Sequence, residues 1–358
     1  MKVKTVVVAI AAVVVLGLGT QFGIKTYLKN ELDKSITEVL NTGQLSTITY
    51  DKFEYDLLSN SATISGITVV SSQYDNDIEF RVKKTKISDY DFSMGAALSS
   101  TLEDIKIIYN KKMDKNQGLS IGSIESKGSH VVDGVIQKIT TQVNKISFMP
   151  GRDIAKYNKQ LKLYNLTPEQ AYANLEMNLD QNITTNEIEL SIDLDMNKVS
   201  RFMTEIKLDS VPIKELTATI EEVQKNRTTL KPEELNAKLL PLISAIVLKS
   251  ASVTHSYAND QVKNSFIKST GQTKQEVIST VEMMLPLVEN NLIQEKKPET
   301  LKLVKTVADY VTSNKQSITL KMGTEQPISA LLFPIMMAYS TEDTDEIIKT
   351  LNIKIETK

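Results

Sequence analysis

Glu187-Ile-Glu-Leu-Ser-Ile-Asp-Leu-Asp-Met196 is the stretch that decides the fold, because apolar and polar residues alternate along its whole length. Successive side chains of a β-strand point to opposite faces of a sheet, so the pattern predicts a strand with one buried and one solvated face. Turns are predicted on either side, at Asn182–Asn186 and Asn197–Ser200. Beyond them, Leu175–Leu179 and Phe202–Leu208 alternate in the same way. The sequence therefore predicts a three-stranded antiparallel meander here.

The N-terminal side of this meander is also rich in predicted strands. Alternation predicts them around Phe53 and Tyr55, from Ala62 to Val69, from Ile78 to Val82, from Ile105 to Tyr109, and from Leu119 to Ile121. Gly66 interrupts the second of these strands, which indicates a β-bulge. Apolar residues at helical spacing predict a helix over Val131–Ile146, and Met94–Leu98 predicts a short apolar helix.

The C-terminal side of the meander is predicted to be mainly helical. Helices are predicted over Ile213–Val223, from Pro232 to Val247, after a capping box at Thr273–Glu276, from Pro298, over Ile328–Tyr339, and over Glu342–Lys349. Strands are predicted over Ser250–Tyr257, over Ser317–Met322, and around Ile353 and Ile355. The acidic residues at 342–346 are interpreted as carboxylates that complement the dipole of the last helix. Lys86–Tyr109 and Ile318–Ile355 share the order strand, short apolar helix, linker, strand.

Composition excludes several classes of function. Hydrophobic residues make up 41% of the 358 residues and charged residues 24%, which is the balance of a globular chain. The net charge is -2, so no overall field attracts nucleic acid, and we predict no nucleic-acid partner. Cysteine is absent, which excludes disulfides, thiolate metal sites and cysteine nucleophiles. No glycine-rich phosphate loop is present, and we predict no cofactor.

The N-terminus predicts a membrane anchor. Val6–Ile24 contains no charged residue and has about the minimum length for a transmembrane helix. Apolar residues then recur at helical spacing over residues 25–40, which predicts an amphipathic helix that follows the anchor. A cleaved signal peptide is the alternative, with Lys2 and Lys4 as its basic region and Gly17-Leu18-Gly19 as its cleavage site. We favour the anchor, because the apolar run continues past Gly19.

The predicted organisation has three parts. Residues 1–24 form the anchor, residues 25–149 hold the amphipathic helix and a β-rich part, and residues 150–358 hold the meander and a helical part. All nine prolines lie at or after Pro150, and eleven of the thirteen glycines lie at or before Gly151. The predicted fold class is α+β, with a long, curved antiparallel sheet, helices packed on it, and one transmembrane helix in front.

Tyr50-Asp-Lys-Phe-Glu-Tyr-Asp-Leu-Leu-Ser-Asn-Ser-Ala-Thr-Ile-Ser-Gly-Ile-Thr-Val-Val70 resembles the start of the AsmA-like and YdgA-like envelope proteins of Gram-negative bacteria. Asp195–Val211 and Gln326–Leu332 also look like elements of that group. The resemblance implies a single-pass inner-membrane protein with most of the chain in the periplasm. The large members are thought to carry lipid along β-grooves, but this chain is too short to bridge an envelope alone. No catalytic residues come with the resemblance.

Two methionine-rich stretches are the candidate ligand-binding residues. They are Met283, Met284 and Leu285 in the first stretch, and Phe333, Met336 and Met337 in the second. Adaptable thioethers suit a groove that accepts acyl chains of varied shape, whereas ordinary core packing is the alternative explanation. We therefore expect a non-enzymatic protein that binds phospholipid or another apolar ligand. The alternative is a structural protein that docks another envelope protein.

The residues considered for catalysis or metal binding form no complete motif. We predict that His130 and His255 are surface or turn residues, since no zinc or triad motif accompanies either. Ser265-Phe-Ile-Lys268 matches the Ser-x-x-Lys nucleophile motif, but its partner motifs are missing, so an enzyme is the third hypothesis. Asp75, Asp77 and Glu79 have the spacing of calcium ligands, yet Phe80 replaces the required glycine. We predict a polar hairpin turn there and no metal site.

Overall fold

The computed structural model describes residues 25–41, 45–56, 59–71, 78–91, 96–109, 117–133, 135–225, 232–329 and 344–358. It confirms the α+β class, with a large antiparallel sheet and helices. The predicted anchor, residues 1–24, lies outside the described residues. No helix within the described ranges is long and apolar enough to cross a membrane. Contacts divide the chain into two units: unit 1 holds Met1–Gly134 and Ile139–Glu176, and unit 2 holds Val135–Lys138 and Met177–Lys358.

Unit 1 is a set of antiparallel strands that pair mostly in chain order. The strands are β1 Thr47–Thr49, β2 Lys52–Asp56, β3 Ser61–Ser71, β4 Ile78–Asp91, β5 Ala96–Tyr109, β6 Gln117–Val132 and β7 Val135–Pro150, of which the first four residues belong to unit 2. β1 and β2 both pair with β3, and the order continues through β4, β5, β6 and β7. Helix α1 is Lys25–Asn41. Helix α2, Ile154–Leu163, was not predicted from the sequence.

Helix α1 packs on the core of unit 1 and confirms the predicted helix at this position. Leu32 is buried among the core residues of β3, β4 and β5, while Ile36 and Leu40 pack against the same cluster. Tyr50 fixes the helix from the side, because its hydroxyl donates a hydrogen bond of 2.6 Å to Asp33 Oδ1. Burial and this bond raise the pKa of Tyr50 to about 12, so the phenol stays protonated.

In unit 1, the alternation of core-facing and outward-facing residues shifts by one residue at the same level in each of several neighbouring strands. Core-facing residues lie three apart, instead of two, at Ile64 and Ile67 in β3, Val82 and Thr85 in β4, Leu102 and Ile105 in β5, Ile121 and Ile124 in β6, and Val143 and Ile146 in β7. Left-handed backbone at this level occurs at Gly66 (φ 67°), Asp104 (φ 51°) and Lys145 (φ 55°). The same side of the strands therefore stays apolar on both sides of this level.

Three predictions for this unit are wrong. Pairing keeps its register past Gly66, with Ser65 opposite Lys84 and Ile67 opposite Val82, so no residue is inserted and no bulge forms. Glycine still suits this position, because residues with a Cβ rarely adopt a φ of 67° and a Cβ there would displace the Asp51 side chain. The predicted helices at Met94–Leu98 and Val131–Ile146 are also wrong.

The described residues of those two segments lie in strands, apart from Asp133, which lies in the turn between β6 and β7. Ala96–Leu98 begins β5, and Val131–Ile146 spans the end of β6 and most of β7. The apparent helical spacing has two physical sources. The phase change at Lys145 places Val143 and Ile146 on the same face, and a buried polar residue, Gln137, hides the alternation before it.

Unit 2 continues with antiparallel strands and then helices. Its strands pair in chain order. They are β8 Tyr172–Asn182 from Met177 onward, β9 Glu187–Met196, β10 Ser200–Asp209, β11 Val247–Tyr257, β12 Ser317–Ser329 and β13 Lys354–Thr357. Its helices are α3 Ile213–Lys225, α4 Pro232–Ala245, α5 Asp260–Ser269, α6 Lys274–Gln294, α7 Pro298–Thr312 and α8 Thr344–Thr350. The predicted meander, β8 to β10, is confirmed.

The helix starts of unit 2 follow the sequence signals closely. Thr273 and Glu276 form the predicted capping box at the start of α6, and Pro298 begins α7. Helix α5 was not predicted. The predicted helix over 328–339 is wrong at Ile328 and Ser329, which end β12, and its remaining residues lie outside the described part of the chain.

Replacing Thr85 with Val should raise the free energy of unfolding by about 1 kcal/mol. The Thr85 hydroxyl is buried without a hydrogen-bond partner among the described residues, and its neighbours across the strands are Ile64 and Leu102. Valine has nearly the same shape and removes the desolvated hydroxyl. Urea unfolding measures the change. Thr68→Val, half-buried in β3, is the control and should shift stability by less than about 0.5 kcal/mol. A destabilised Thr85→Val would contradict the prediction.

Candidate functional site

The sheet of unit 2 has one apolar face, and strand pairing brings its side chains into two adjacent rows. The first row runs across β9 to β13 through Ile192, Thr204, Val253, Leu320 and Ile355, and the second through Leu194, Phe202, His255, Ile318 and Thr357. Apart from the two threonines and the histidine, every member is apolar. We call these two rows the apolar strip.

The apolar strip is only partly covered. Phe202 is 38% exposed, Val253 43% and Leu320 45%, and the other members of the strip are half-buried. The sequence predicted that this face of β9 is buried, and the structure corrects that prediction, since no residue from Glu187 to Met196 is fully buried. Contiguous exposed apolar side chains in the middle of a sheet are unusual in a soluble domain and indicate a binding surface.

Each end of the apolar face packs against other elements of unit 2. At one end, Ile188 and Leu208 pack on a small core that includes Val211 and Ile213 at the start of α3. At the other end, Tyr257 lies 5.9 Å from Phe266 of α5, measured between ring centroids. The exposed part of the strip lies between these two covered ends.

His255 belongs to the strip and is not the surface or turn residue that the sequence predicted. The residue lies in β11. The centroid of its ring is 4.4 Å from that of the Phe202 ring and 4.5 Å from that of the Tyr257 ring. Burial lowers the pKa of His255, because the aromatic surroundings disfavour the charged imidazolium. The ring is therefore neutral at neutral pH, and it adds no charge to the strip.

Helix α7 is held at both ends by buried charges. Asp345 accepts hydrogen bonds from the backbone N–H groups of Glu299 (3.0 Å) and Thr300 (2.8 Å) at its N-terminus. Lys263 donates to the carbonyl oxygens of Tyr310 (2.6 Å), Ser313 (3.1 Å) and Lys315 (2.8 Å) at its C-terminus. Each charge has the sign that the helix dipole favours. The two caps fix α7, against which α6 packs.

Asp345 does more than the sequence predicted for the acidic segment. Asp345 and Glu346 lie in the first turn of α8, as predicted, and the carboxylate of Asp345 also caps α7. Burial alone would raise the pKa of Asp345, but the hydrogen bonds from Thr300 and Glu299 outweigh it and lower the pKa. Glu342 and Asp343 lie outside the described residues.

The methionine-rich candidates on α6 lie away from the fully buried core. On α6, Met283 is 65% exposed and Met284 47% exposed, and Leu285 is half-buried. Phe333, Met336 and Met337 lie outside the described residues. The structure therefore places the first stretch on an exposed helix surface and leaves its predicted role in ligand binding untested. The strip residues Phe202, Val253 and Leu320 were missed as site residues, because their alternation alone signals an ordinary buried face.

The residues considered for catalysis or metal binding are dispersed. His130 is exposed in β6 of unit 1, whereas His255 lies in unit 2. Glu79 lies in β4, within the strand predicted over Ile78–Val82, and is fully buried in an ion pair with Arg81. Asp75 and Asp77 lie outside the described residues. Within the described ranges, no group of three His, Asp or Glu side chains could hold a metal ion. Ser265 and Lys268 lie on α5, with Lys268 exposed.

Comparison with known proteins finds no family model and no curated protein that matches this sequence. The AsmA-like resemblance therefore stays a prediction that rests on the residues of the chain itself.

Replacing Asp345 with Asn should lower the free energy of unfolding by about 1–3 kcal/mol at neutral pH, since one carboxylate oxygen that accepts a backbone N–H becomes a donor. The lowered pKa means that this contribution is complete above the ordinary carboxyl pKa and is lost as pH falls through the folded-state pKa. Urea unfolding at several pH values should show the two proteins converging in acid.

The control for this experiment is Glu346→Gln, an exposed carboxylate in the same first turn of α8. We expect it to change stability by less than about 0.5 kcal/mol. If Asp345→Asn matches the wild-type protein at neutral pH, the capping role is wrong.

Proposed function

We propose that this protein is a non-enzymatic, membrane-anchored protein of the bacterial envelope that binds the acyl chain of a lipid on the apolar strip. The observation that carries the proposal is the exposure of Val253 and Leu320, which pair side by side on β11 and β12, and of Phe202, which lies diagonally next to Val253 on β10. An acyl chain laid on the strip would cover side chains that the protein itself leaves in contact with water.

The dimensions of the strip suit one extended acyl chain. Neighbouring strands are about 4.8 Å apart, so a row from β9 to β13 crosses four gaps and is about 19 Å long. Each methylene group that leaves water contributes about 0.8 kcal/mol, and a chain of several methylenes therefore supplies useful affinity without any polar contact. The neutral His255 ring and the two threonines add no charge that would oppose it.

The expected location supports the same ligand class. An anchor over residues 1–24 would place the start of α1, Lys25, at a membrane surface, and α1 is packed on unit 1 through Leu32. Under this proposal, the bulk of the chain lies in the periplasm at the inner membrane, where phospholipid is the abundant apolar ligand. The curvature that we expect of the sheet would turn the strip into a shallow trough.

The double variant Val253→Asn/Leu320→Gln should weaken the binding of a fluorescent acyl probe at least about ten-fold, because two exposed apolar contacts are replaced by polar groups. The full chain is purified in detergent. The detergent concentration is then lowered stepwise until detergent no longer competes with the probe, and the protein is titrated with the probe. Native mass spectrometry of the same preparation should show co-purifying phospholipid in the wild-type protein and less of it in the variant.

The matched control is Met283→Gln/Leu287→Gln, which removes two exposed apolar side chains from α6 instead. Probe affinity should stay unchanged in this variant. If neither protein binds the probe and no lipid co-purifies, the proposal fails. If the α6 variant loses binding and the strip variant keeps it, lipid binds at the methionine-rich helix and not at the strip.

Docking of a protein partner is the second candidate function, and the surface of α6 favours it. Met283, Leu287 and Ile293 are 65%, 58% and 60% exposed on a helix that packs on α7. Adaptable methionine surfaces are frequent in protein recognition. Crosslinking in cells to one defined envelope protein, lost in Met283→Gln/Leu287→Gln and kept in the strip variant, would establish this function in place of lipid binding.

A further inference from the structure

The other face of the unit 2 sheet carries a shallow polar depression of about 320 Å³. It is lined by side chains of β10, β11, β12 and β13 and by Lys358. Strand register places them on one face in consecutive rows: Glu205 beside Ser252 and Lys321, Met203 beside Thr254 and Thr319, and Ser317 beside Ser256. We call this surface the polar depression. Its volume is at the small end of the range for ligand sites, about 300–1,000 Å³.

The floor of the polar depression consists of hydroxyl groups. Ser252, Thr254, Ser317 and Thr319 are all half-buried and all point to this face. The Thr254 and Thr319 hydroxyls lie 2.9 Å apart and share one hydrogen bond, which either of them can donate. The Ser252 hydroxyl donates to Glu205 Oε2 (3.4 Å) and the Ser317 hydroxyl to the carbonyl oxygen of Lys358 (3.5 Å). A hydroxyl can accept while it donates, so the floor offers a ligand several acceptors and the one donor that the Thr254–Thr319 pair leaves over. The half-buried Met203 side chain supplies one apolar contact beside the hydroxyls.

The rim of the polar depression carries balanced charge. Two exposed carboxylates, Glu205 and Glu356, face two exposed lysines, Lys321 and Lys358. Lys321 and Glu356 form an ion pair of 2.7 Å, so each already has an opposite charge beside it. The charges of these four rim side chains sum to zero, so the lining itself favours neither an anion nor a cation.

These features point to one class of ligand. An anion such as a phosphate would meet two carboxylates, and a cation would meet two lysines. An acyl chain would have to desolvate the hydroxyl floor, which is unfavourable without replacement hydrogen bonds. A neutral sugar ring carries hydroxyls that donate and accept around its edge and C–H groups on its face, which match the serine and threonine hydroxyls and the Met203 side chain. We propose that the polar depression binds a neutral saccharide of one or two sugar rings.

The test measures saturation transfer by NMR from the full chain to maltose and cellobiose. The protein is kept in a polyoxyethylene detergent, because a sugar-headed detergent would compete for the same site. We expect binding in the millimolar range for wild-type protein. Thr254→Val/Thr319→Val removes both hydroxyls with little change of shape and should weaken binding about ten-fold or more. Glucose 6-phosphate and glucosamine, which are charged, should bind more weakly than the neutral sugars.

The control variant is Thr204→Val, which makes the same change on β10 but on the opposite, apolar face. It should leave sugar binding unchanged. Circular dichroism shows whether the double variant folds. If it does not, Ser252→Ala removes a single hydroxyl from the floor and should weaken sugar binding by a smaller factor. Absence of saturation transfer from every neutral sugar, equal binding by the double variant, or tighter binding of glucose 6-phosphate would each overturn the proposal. Acyl-probe binding by Thr254→Val/Thr319→Val is expected to match wild type, so this site and the apolar strip are tested separately.

Discussion

Antiparallel pairing with a side-chain period of two is the constraint on which the structure of both units depends. Once the register between two strands is set, every residue is committed to one face or the other. In unit 2 this commitment separates an apolar row through Val253 and Leu320 from a hydroxyl row through Thr254 and Thr319, although these residues are neighbours in sequence. The two proposed binding surfaces are therefore consequences of one register, and a slip of one residue would exchange them.

In unit 1, the alternation of side chains with a period of two is interrupted once in each of several strands, and the fold is kept. If only one strand changed phase, its apolar side chains would move to the wrong face beyond that point. Because the change occurs on one line in all of β3 to β7, neighbouring strands keep their register and the core continues on both sides. The left-handed residues at Gly66, Asp104 and Lys145 supply the local backbone geometry, and only the first of them is glycine.

Much of the fold could be predicted from the sequence, where local signals agree with the final packing. The meander around Glu187–Met196 and the capping box at Thr273 are of this kind, since alternation and capping depend on near neighbours. The strands within Val131–Ile146 could not be predicted, because Val143 and Ile146 share a face only through the left-handed backbone at Lys145, which the sequence pattern does not reveal. Similarly, the carboxylate of Asp345 stabilises a helix about 45 residues earlier in the chain, and no local pattern contains that information.

The candidate site was harder to predict than the fold for a related reason. Alternation indicates that Phe202 and Leu208 share a face, but what covers that face depends on where the helices pack. Leu208 meets the small core at the start of α3, whereas Phe202 contacts the His255 ring and stays partly open to water. Exposure of such a row costs the folded protein hydrophobic stabilisation that one more covering helix would provide. A ligand that covers the row returns that stabilisation on binding, and this is the physical reason to look for the function on this face of the sheet.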